Sequence, residues 1–420
     1  MSAKKGGSKV LIYSHDSFGL GHLRRCRAIA HALVERFRHL SVLILSGSPI
    51  IGSFDFRSRV DFVRIPGVIK LRNGKYTSLN LHIDIEETLS IRSEIVRHTA
   101  EIFSPDVFIV DKEPLGLRGE VQETLKLLKS RGTRLVLGLR DVMDEPRSLA
   151  PEWQRKKVMP ALRDLYDEIW IYGLPQVCDP LEGISLPRRV KQKIVYTGYL
   201  QRSVPQVKLN RKLPEIIENP YILVTTGGGG DGAALIEWVL RTYETQPRLV
   251  YPALLVLGPF MRPEHQSDFM ERAARLPNVE AITFDAQIEE LEANAVGVVA
   301  MGGYNTFCEI LSLDKRSVIV PRTVPRLEQK IRAERAQELG LVRMLEDDGR
   351  HDPKVMAKAL MELPYQNRPS EVVVPGLLEG LDNLARLVAP WLPDSTALET
   401  APAVSQAPAP MRARSRLRMS

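Results

Sequence analysis

Cysteine is scarce in this sequence: the 420 residues contain three, Cys26, Cys178 and Cys308, which are far apart and odd in number. This usage argues against a disulfide framework and a zinc site, and it fits a reducing cytoplasm. Long apolar runs are also lacking, since none approaches the ~20 residues that span a bilayer. The first apolar run, Val10 to Tyr13, is too short for a signal peptide and predicts a strand. We therefore expect a cytoplasmic protein.

An excess of charge is lacking in the body of the chain, although the formal net charge is +7. Residues 1–9 hold three lysines and residues 401–420 hold four arginines, and neither segment contains an acid. Residues 10–400 are therefore balanced. Since nucleic-acid binding needs a basic patch on the fold, we predict no nucleic-acid partner. The tail, residues 391–420, is rich in Ala, Pro, Ser and Arg, which predicts disorder and could allow peripheral contact with the anionic inner face of a membrane.

Several motifs for phosphates and metals are absent. The chain has no Gly-x-x-x-x-Gly-Lys-Ser/Thr loop and no Gly-x-Gly-x-x-Gly after its first strand, so neither a Walker ATPase nor a dinucleotide enzyme is supported. No Asp-x-Asp suited to a metal-bound diphosphate lies near a strand end. The nearest approaches are Asp84-Ile85-Glu86 and Asp111-Lys112-Glu113, both in the N-terminal half. We expect neither a metal ion nor a cofactor.

Strands alternate with helices along most of the chain, which predicts an α/β fold with mostly parallel sheets covered on both faces. The polar, proline-containing segment 206–219 predicts a linker between two domains of about 200 residues each. We predict an N-terminal domain over 1–205 and a C-terminal domain over 220–390. The predicted strands are residues 9–14, 41–46, 60–65, 106–111, 134–139, 168–172 and 193–197, then 221–225, 252–257, 279–284, 295–300 and 316–320. The predicted helices include residues 85–103, 118–130, 151–166, 264–276, 287–293, 305–313, 326–339 and 373–388.

A glycine-containing loop follows the first predicted strand and enters a helix. Gly19 and Gly21 would let backbone N–H groups come close to a ligand. His22 falls in the first helical turn, where an imidazole can act as a general base near neutral pH or donate to a phosphate. The alternative is that His22 only packs or caps the helix.

A run of four glycines follows the first strand of the second domain. It contains Gly227, Gly228 and Gly229 and ends at Gly230. Because glycine is costly in backbone entropy, a plain turn would use one or two. We interpret the run as a loop that passes close to a diphosphate or permits domain closure, with a flexible turn as the alternative.

The most informative stretch is Gly302-Gly303-Tyr304-Asn305-Thr306-Phe307-Cys308-Glu309. It follows an apolar run that predicts a buried strand, and it opens a helix. The strand's carboxyl end opens on a crevice, and the helix offers unpaired N–H groups and a positive dipole to an anion. Gly302, Gly303, Asn305 and Thr306 would line this mouth. Glu309, expected in the first turn, could accept hydrogen bonds from a sugar or a ribose diol.

A second loop, Arg322 to Gln329, follows the next predicted strand and should lie beside Glu309. Arg322 could meet a phosphate, as could Arg326, for which a solvated helix face is the alternative. Glu328 and Gln329 could hydrogen-bond the hydroxyls of a sugar.

Together these blocks resemble GT-B glycosyltransferases of the family-28 type, which include the lipid-II-forming N-acetylglucosaminyltransferase. The resemblance covers roughly residues 9–345. It is carried by the Gly-x-Gly-His loop, the glycine-rich loop, and Gly-Gly-x-x-Thr-x-x-Glu followed by the Pro-to-Gln loop. It implies the GT-B arrangement, in which two Rossmann-like domains face a central cleft. The N-terminal domain would bind the acceptor and the C-terminal domain the nucleotide sugar.

The resemblance also implies roles for single residues. Glu309 would hold the ribose hydroxyls, and the Glu328-Gln329 pair would contact the donor sugar. The strand end at Phe284 would read the base through its backbone, while the Gly227–Gly230 loop would lie against the diphosphate. His22 would be the catalytic base.

The predicted reaction is metal-independent transfer of a sugar from a nucleoside diphosphate sugar, UDP-linked by resemblance, to a hydroxyl acceptor that the sequence does not identify. Two alternatives stay open. Gly21-His22-x-x-Arg25-Cys26 is closer to the UDP-sugar hydrolase of pseudaminic acid synthesis, so a hydrolase or epimerase could use the same scaffold. The second alternative is a protein that binds a nucleotide sugar without catalysing a reaction. On the acceptor side, Asp111, Arg140 and Asp141 are polar residues near strand ends.

Overall fold

A computed structural model describes residues 7–15, 20–71, 75–144, 146–205, 211–246, 248–392 and 411–412. The chain forms two compact units, one of Met1–Leu200 with Pro375–Ser420 and the other of Gln201–Val374. Both are built on mostly parallel sheets, which confirms the predicted α/β class. Among the helices of the described residues, none combines the length and the apolar character needed to cross a membrane.

An eight-stranded sheet is the centre of the N-terminal unit, in the order β16-β9-β8-β7-β6-β1-β2-β3. Neighbouring strands are parallel except for the two-residue β16, which pairs antiparallel with β9. Strands β4 and β5 form a separate hairpin that the sequence did not predict. The strands are β1 (Lys9–Ser14), β2 (Ser41–Ser46), β3 (Val60–Arg64), β4 (Val68–Lys70), β5 (Tyr76–Ser78), β6 (Val107–Asp111), β7 (Arg134–Arg140), β8 (Glu168–Tyr172), β9 (Ile194–Tyr196) and β16 (Met411–Arg412).

The helices of this unit follow the apolar periodicity of the sequence. In α1, the buried Leu23, Cys26 and Ala30 recur three and four residues apart and form one face. The predicted helix over 151–166 is two helices, because Lys157 between them has a left-handed φ of 50° that a helix cannot continue through. The helices are α1 (Gly21–Arg36), α2 (Ile85–Phe103), α3 (Gln122–Ser130), α4 (Pro146–Arg155), α5 (Met159–Asp164), α6 (Arg188–Lys191) and α13 (Gly380–Val388).

The last helix was assigned to the wrong unit. We predicted residues 373–388 in the C-terminal domain, but α13 packs against α1 of the N-terminal unit. The Tyr199 N–H donates to the Leu377 carbonyl at 2.7 Å, and the Asn383 amide donates to the Thr197 carbonyl at 2.8 Å. A Cβ at Gly380 would lie 2.5 Å from the Tyr199 carbonyl oxygen, so glycine permits this close crossing. An amphipathic pattern shows that a helix needs a partner, but it does not show which one.

The boundaries between the units also differ in part from the prediction. The N-terminal unit ends at Leu200 rather than at residue 205. Residues 206–210 of the predicted linker lie outside the described residues, whereas 211–219 belong to the C-terminal unit. Most of the predicted disordered tail, residues 393–410 and 413–420, also lies outside them.

A six-stranded parallel sheet is the centre of the C-terminal unit, in the order β12-β11-β10-β13-β14-β15. Its core strands are buried throughout, as expected where helices cover both faces. The strands are β10 (Ile222–Thr225), β11 (Ala253–Val256), β12 (Val279–Ile282), β13 (Gly297–Ala300), β14 (Ser317–Ile319) and β15 (Arg343–Met344). The helices are α7 (Ala233–Thr245), α8 (Pro263–Ala273), α9 (Ile288–Asn294), α10 (Tyr304–Ser312), α11 (Glu328–Glu338) and α12 (Pro353–Glu362).

A buried ion pair holds the N-terminal unit together behind β1. The Arg92 guanidinium donates to both oxygens of Glu120, from Nε at 2.6 Å and from Nη2 at 2.7 Å. The Tyr13 hydroxyl also donates to this carboxylate, and Arg92 Nη1 donates to the Pro66 carbonyl at 2.6 Å. Because both charged side chains are 1% exposed, neither can exchange its partner for water.

Glu120→Ala should therefore destabilise the N-terminal unit by about 3–5 kcal/mol, because it leaves the Arg92 charge buried without a carboxylate. The measurement is urea unfolding followed by tryptophan fluorescence. Glu123→Ala is the matched control, since its partner Lys126 is half exposed and such a pair contributes about 0–1 kcal/mol. Equal losses in the two variants would contradict this account of the network.

Candidate functional site

Two neighbouring parallel strands bring His22 and Asp111 together. Strand β1 leads toward α1, which begins at Gly21, and β6 ends at Asp111. Since β1 and β6 are paired in parallel, their carboxyl ends lie at one edge of the sheet. His22 is the second residue of α1, as predicted, and its Nδ1 contacts Asp111 Oδ2. Gly19 lies outside the described residues.

Arg25 fixes the Asp111 carboxylate from the same helix. Its Nε donates to Oδ1 at 2.8 Å and its Nη2 donates to Oδ2 at 2.6 Å, a bidentate pair. The Asp111 side chain is 2% exposed. Burial alone would raise the pKa of this carboxyl, but Arg25 and His22 hold the pKa well below its usual range. Asp111 is therefore ionised and can only accept hydrogen bonds.

The charge of Asp111 fixes the tautomer of His22. Arg25 Nη2 also lies 3.0 Å from Nδ1. Because the ionised carboxylate can only accept, its contact with Nδ1 assigns the ring proton to that nitrogen and leaves Nε2 its lone pair. Burial of the ring disfavours the imidazolium and lowers the pKa of His22 to about 4, although Asp111 acts in the opposite direction. The His22 side chain is 14% exposed. At neutral pH it is a neutral imidazole whose Nε2 can accept a proton, as a general base requires.

The surroundings of this pair are polar and strained. The His15 ring lies edge-on to the His22 ring, with centroids 5.7 Å apart, and burial lowers the pKa of His15 well below its usual value. Lys112, directly after Asp111, has a left-handed φ of 68°, a conformation that costs free energy in a residue other than glycine. Glu113 accepts a hydrogen bond from Lys156 Nζ at 2.7 Å. Strain and buried titratable groups in one place are typical of a functional site.

The predicted glycines of the C-terminal unit have two different roles. A Cβ at Gly229 would lie 2.5 Å from the Leu257 carbonyl oxygen, and one at Gly302 would lie 2.6 Å from Cγ2 of Ile319. These two glycines therefore permit loop packing, as does Gly258, which the sequence analysis missed. A Cβ at Gly227 or Gly303 would meet no described atom within 4 Å. These two therefore have open space beside them for a ligand. The Gly228 carbonyl accepts a hydrogen bond from the Phe260 N–H at 2.9 Å, which connects the glycine run to the loop after β11.

The mouth of α10 carries a buried guanidinium. Gly303, which precedes the helix, has no side chain to cap it. Arg202 Nη2 donates to Oδ1 of Asn305, in the first turn, at 2.9 Å. Arg202 is 7% exposed, and its Nη1 is buried without a hydrogen-bond partner among the described residues. A helix N-terminus beside such a cation favours an anion. Thr306, also in the first turn, is buried.

Glu309 is placed differently from the prediction. We expected it in the first turn, but α10 begins at Tyr304, so Glu309 is the sixth helical residue. Its side chain is 1% exposed. The predicted helix over 305–313 begins one residue later than α10, and Tyr304, Asn305 and Thr306 form the first helical turn.

The loop after β14 is tied to the glycine run. Arg322 Nε lies 3.1 Å from Asp231 Oδ2, and its Nη2 donates to Glu328 Oε1 at 2.6 Å. The Arg322 N–H donates to Gln329 Oε1 at 3.1 Å. The structure thus brings Arg322, Glu328 and Gln329 together. Arg322 is already neutralised by carboxylates, and the sugar-binding roles of the other two stay predictions.

Phe284 is half buried and follows β12, at the same carboxyl edge as the other loops. Strand β11 lies between β12 and β10 in the sheet. Phe284 at the end of β12 therefore lies to one side of the glycine run, which follows β10.

Sequence reasoning missed three contributions. Arg25 was quoted in the Gly-His-x-x-Arg-Cys pattern, but its pairing with Asp111 was missed, although it lies three residues after His22 on one helix and faces the same way. The role of Arg202 could not have been predicted. Arg202 lies in a polar segment next to the predicted linker, and its partner Asn305 is more than a hundred residues away. Gly258 gave no signal because it stands alone in the sequence. No His, Cys, Asp and Glu cluster suited to a metal ion occurs in the part of the chain that the structure describes. Metal independence itself stays a prediction.

Residues 221–369 match the family model of the glycosyltransferase family 28 C-terminal domain. No curated protein matches the chain. Among solved structures, the glycotransferase of kitacinnamycin superposes with a TM-score of 0.57 at 17% identity, over 93% of this chain and 100% of the other. MurG of Acinetobacter baumannii superposes with a TM-score of 0.53 at 13% identity, over 91% of this chain and 99% of the other.

Phytolacca americana UGT2, in complex with UDP-2fluoro-glucose and pterostilbene, gives a TM-score of 0.58 at 13% identity, over 90% of this chain and 94% of the other. At such identities the likeness shows the fold, and it extends over both units. The family match to the C-terminal domain adds the enzyme class. Residues 221–369 therefore form a glycosyltransferase family 28 C-terminal domain, in a chain that has the GT-B fold.

Proposed function

We propose that the enzyme transfers a sugar from a nucleoside diphosphate sugar, UDP-linked, to a hydroxyl acceptor without a metal ion. The observation that carries this proposal is the mouth of α10, where Gly303 leaves open space and Arg202 presents a buried guanidinium. Such a mouth suits the diphosphate of the donor. The complex of Phytolacca americana UGT2 with UDP-2fluoro-glucose supports the choice of UDP.

The leaving diphosphate would be stabilised by fixed dipoles and one cation. The first-turn N–H groups of α10 and the backbone beside Gly227 would face its oxygens, and Arg202 would supply a positive charge. Because these groups are held in place before the donor binds, they need little reorganisation as negative charge develops. Glu309 would accept from the ribose, and the backbone at Phe284 would read the base, as the resemblance implies.

His22 would activate the acceptor. Its Nε2 takes the hydroxyl proton while the acceptor oxygen forms a bond to the anomeric carbon of the sugar. The bond from that carbon to the diphosphate oxygen breaks, and the diphosphate leaves with the electron pair. Asp111 stabilises the imidazolium that forms, and Arg25 keeps Asp111 ionised and in place.

Hydrolysis of a nucleotide sugar is the second candidate. It is favoured by Arg25, which follows His22 in the Gly-His-x-x-Arg-Cys pattern and binds Asp111 bidentately. The same base could then activate water in place of an acceptor hydroxyl.

A panel of nucleotide sugars tests these functions. UDP-, GDP- and dTDP-sugars are incubated with the enzyme, with and without cell extract as the source of acceptors. We expect nucleoside diphosphate release from a UDP-sugar only with extract, and unchanged release with EDTA. Release of free sugar without extract would identify a hydrolase, and loss of activity with EDTA would disprove metal independence.

We further propose a cytoplasmic enzyme. Its three cysteines form no disulfide, which supports a reducing compartment. The arginines near the C-terminus would add peripheral attraction to an anionic membrane.

His22→Gln should lower kcat by about 10²–10⁴-fold, because it removes the base, and should leave donor binding within about twofold. The measurement is steady-state turnover together with calorimetric titration of UDP. His31→Gln is the matched control, since it removes another imidazole from α1 and should leave turnover unchanged. Unaltered turnover in His22→Gln would remove His22 as the base.

The pH profile should report the low pKa of His22. Because the neutral imidazole is the active form, kcat/KM should be flat from about pH 6 to 8 and fall as pH drops toward about 4. The free energy of unfolding should fall in the same pH range. Because the pKa of His22 is lower in the folded than in the unfolded state, protonation favours the unfolded state, and stability is lost as pH falls below about 6.5. Turnover that falls between pH 7 and 6, with the fold intact by circular dichroism, would contradict this assignment.

Glu309→Gln should weaken UDP binding by about 1–3 kcal/mol, if the carboxylate accepts from the ribose. Pyrophosphate lacks the ribose, so its binding should stay unchanged. Calorimetry with both ligands, after a check of thermal unfolding, makes the comparison. Equal weakening for both ligands would show that Glu309 supports α10 rather than holding the ribose.

A further inference from the structure

Arg211 joins the start of the C-terminal unit to the loop after β12. Its Nε donates to Asp285 Oδ2 at 2.7 Å, and its Nη1 donates to Gln287 Oε1 at 2.6 Å. Its Nη2 donates to Glu290 Oε2, at the start of α9, at 3.0 Å. One guanidinium therefore holds three side chains of a six-residue segment.

The segment is also fixed from within. Asp285 Oδ1 accepts from the Gln287 N–H at 2.7 Å, so its second oxygen is the one that Arg211 takes. The Asp285 side chain is 6% exposed and the Arg211 side chain 18%. A planar guanidinium with several partners in fixed directions is rigid, unlike a single exposed ion pair.

The held segment begins next to Phe284, where β12 ends. The Gly258 N–H donates to the Thr283 carbonyl at 2.8 Å, which connects this end to the loop after β11. The backbone is therefore held on both sides of Phe284. The sheet holds it before Phe284, at Thr283, and Arg211 holds it after Phe284, at Asp285. Any ligand that binds this backbone depends on both supports.

We propose that Arg211 is a positioning residue for nucleobase recognition: through Asp285, Gln287 and Glu290 it holds the backbone at Phe284 in the conformation that reads the base. This inference rests on the proposed function, because it takes the donor to carry a base. It predicts that removal of Arg211 affects the base and spares the diphosphate. A purely structural ion pair would instead affect both or neither.

The test compares calorimetric titrations of UDP, GDP, dTDP and inorganic pyrophosphate with the full chain. In Arg211→Ala, the affinity for the preferred nucleoside diphosphate should fall about tenfold and the preference among the three should narrow. Pyrophosphate affinity should change less than about twofold.

Arg272→Ala is the matched control. Arg272 also binds three side chains, which here are the carboxylates of Glu237, Glu244 and Asp268, and its side chain is 21% exposed. It lies in the last turn of α8, whereas Arg211 binds the loop at the carboxyl end of β12. Because both variants lose three partners, their thermal unfolding should shift similarly, but Arg272→Ala should keep the nucleotide preference of the wild type.

If Arg211→Ala does not fold, Arg211→Lys replaces it, since lysine keeps the charge and loses the planar fork. Arg211→Lys should then lower the affinity for UDP by less than the tenfold loss expected for Arg211→Ala. Equal effects on UDP and pyrophosphate, or none on either, would overturn the inference while leaving the proposed function intact. A wild-type protein that binds pyrophosphate but no nucleoside diphosphate would overturn both.

Discussion

Charges buried at the carboxyl edges of the two sheets have to be paired, and this constraint shapes both units. In the N-terminal unit, Asp111 is buried at the end of β6, and Arg25 and His22 from one helix satisfy it. An unpaired charge there would cost several kcal/mol. The pairing does more than stabilise, because the ionised carboxylate dictates which nitrogen of His22 carries the proton. The chemistry proposed for this edge follows from that one contact.

Several guanidiniums of the C-terminal unit are paired with carboxylates in the same way. Arg322 is neutralised by Asp231 and Glu328, and Arg211 by Asp285 and Glu290. Arg202 forms no ion pair within the described residues, yet it lies buried beside the first turn of α10. The contrast separates cations that hold loops in place from Arg202, which we propose as a ligand of the diphosphate. We therefore propose Arg202 as a contact of the phosphates, while the phosphate contact of Arg322 stays a prediction.

Local pattern predicted the fold well and the side-chain contacts poorly. The bounds of β1, β2 and β8 match the prediction because each is a short apolar run with polar ends. His22 was placed correctly because Gly21 begins a helix with clear periodicity. Glu309 was expected in the first turn of α10 but is its sixth residue, because the helix already begins at Tyr304. The pairing of Arg25 with Asp111 joins residues 86 apart and depends on strand order, which no local pattern contains.

The central claim is that the donor's diphosphate binds at the mouth of α10. Hydrogen exchange of the full chain, with and without saturating UDP, tests it most directly. The account predicts slower exchange in residues 226–232 and 301–306, next to Gly227 and Gly303. Exchange should stay unchanged at residues 249–252, before β11 at the opposite end of the sheet. Protection at 249–252, or no protection at 301–306 while UDP is bound, would contradict the account.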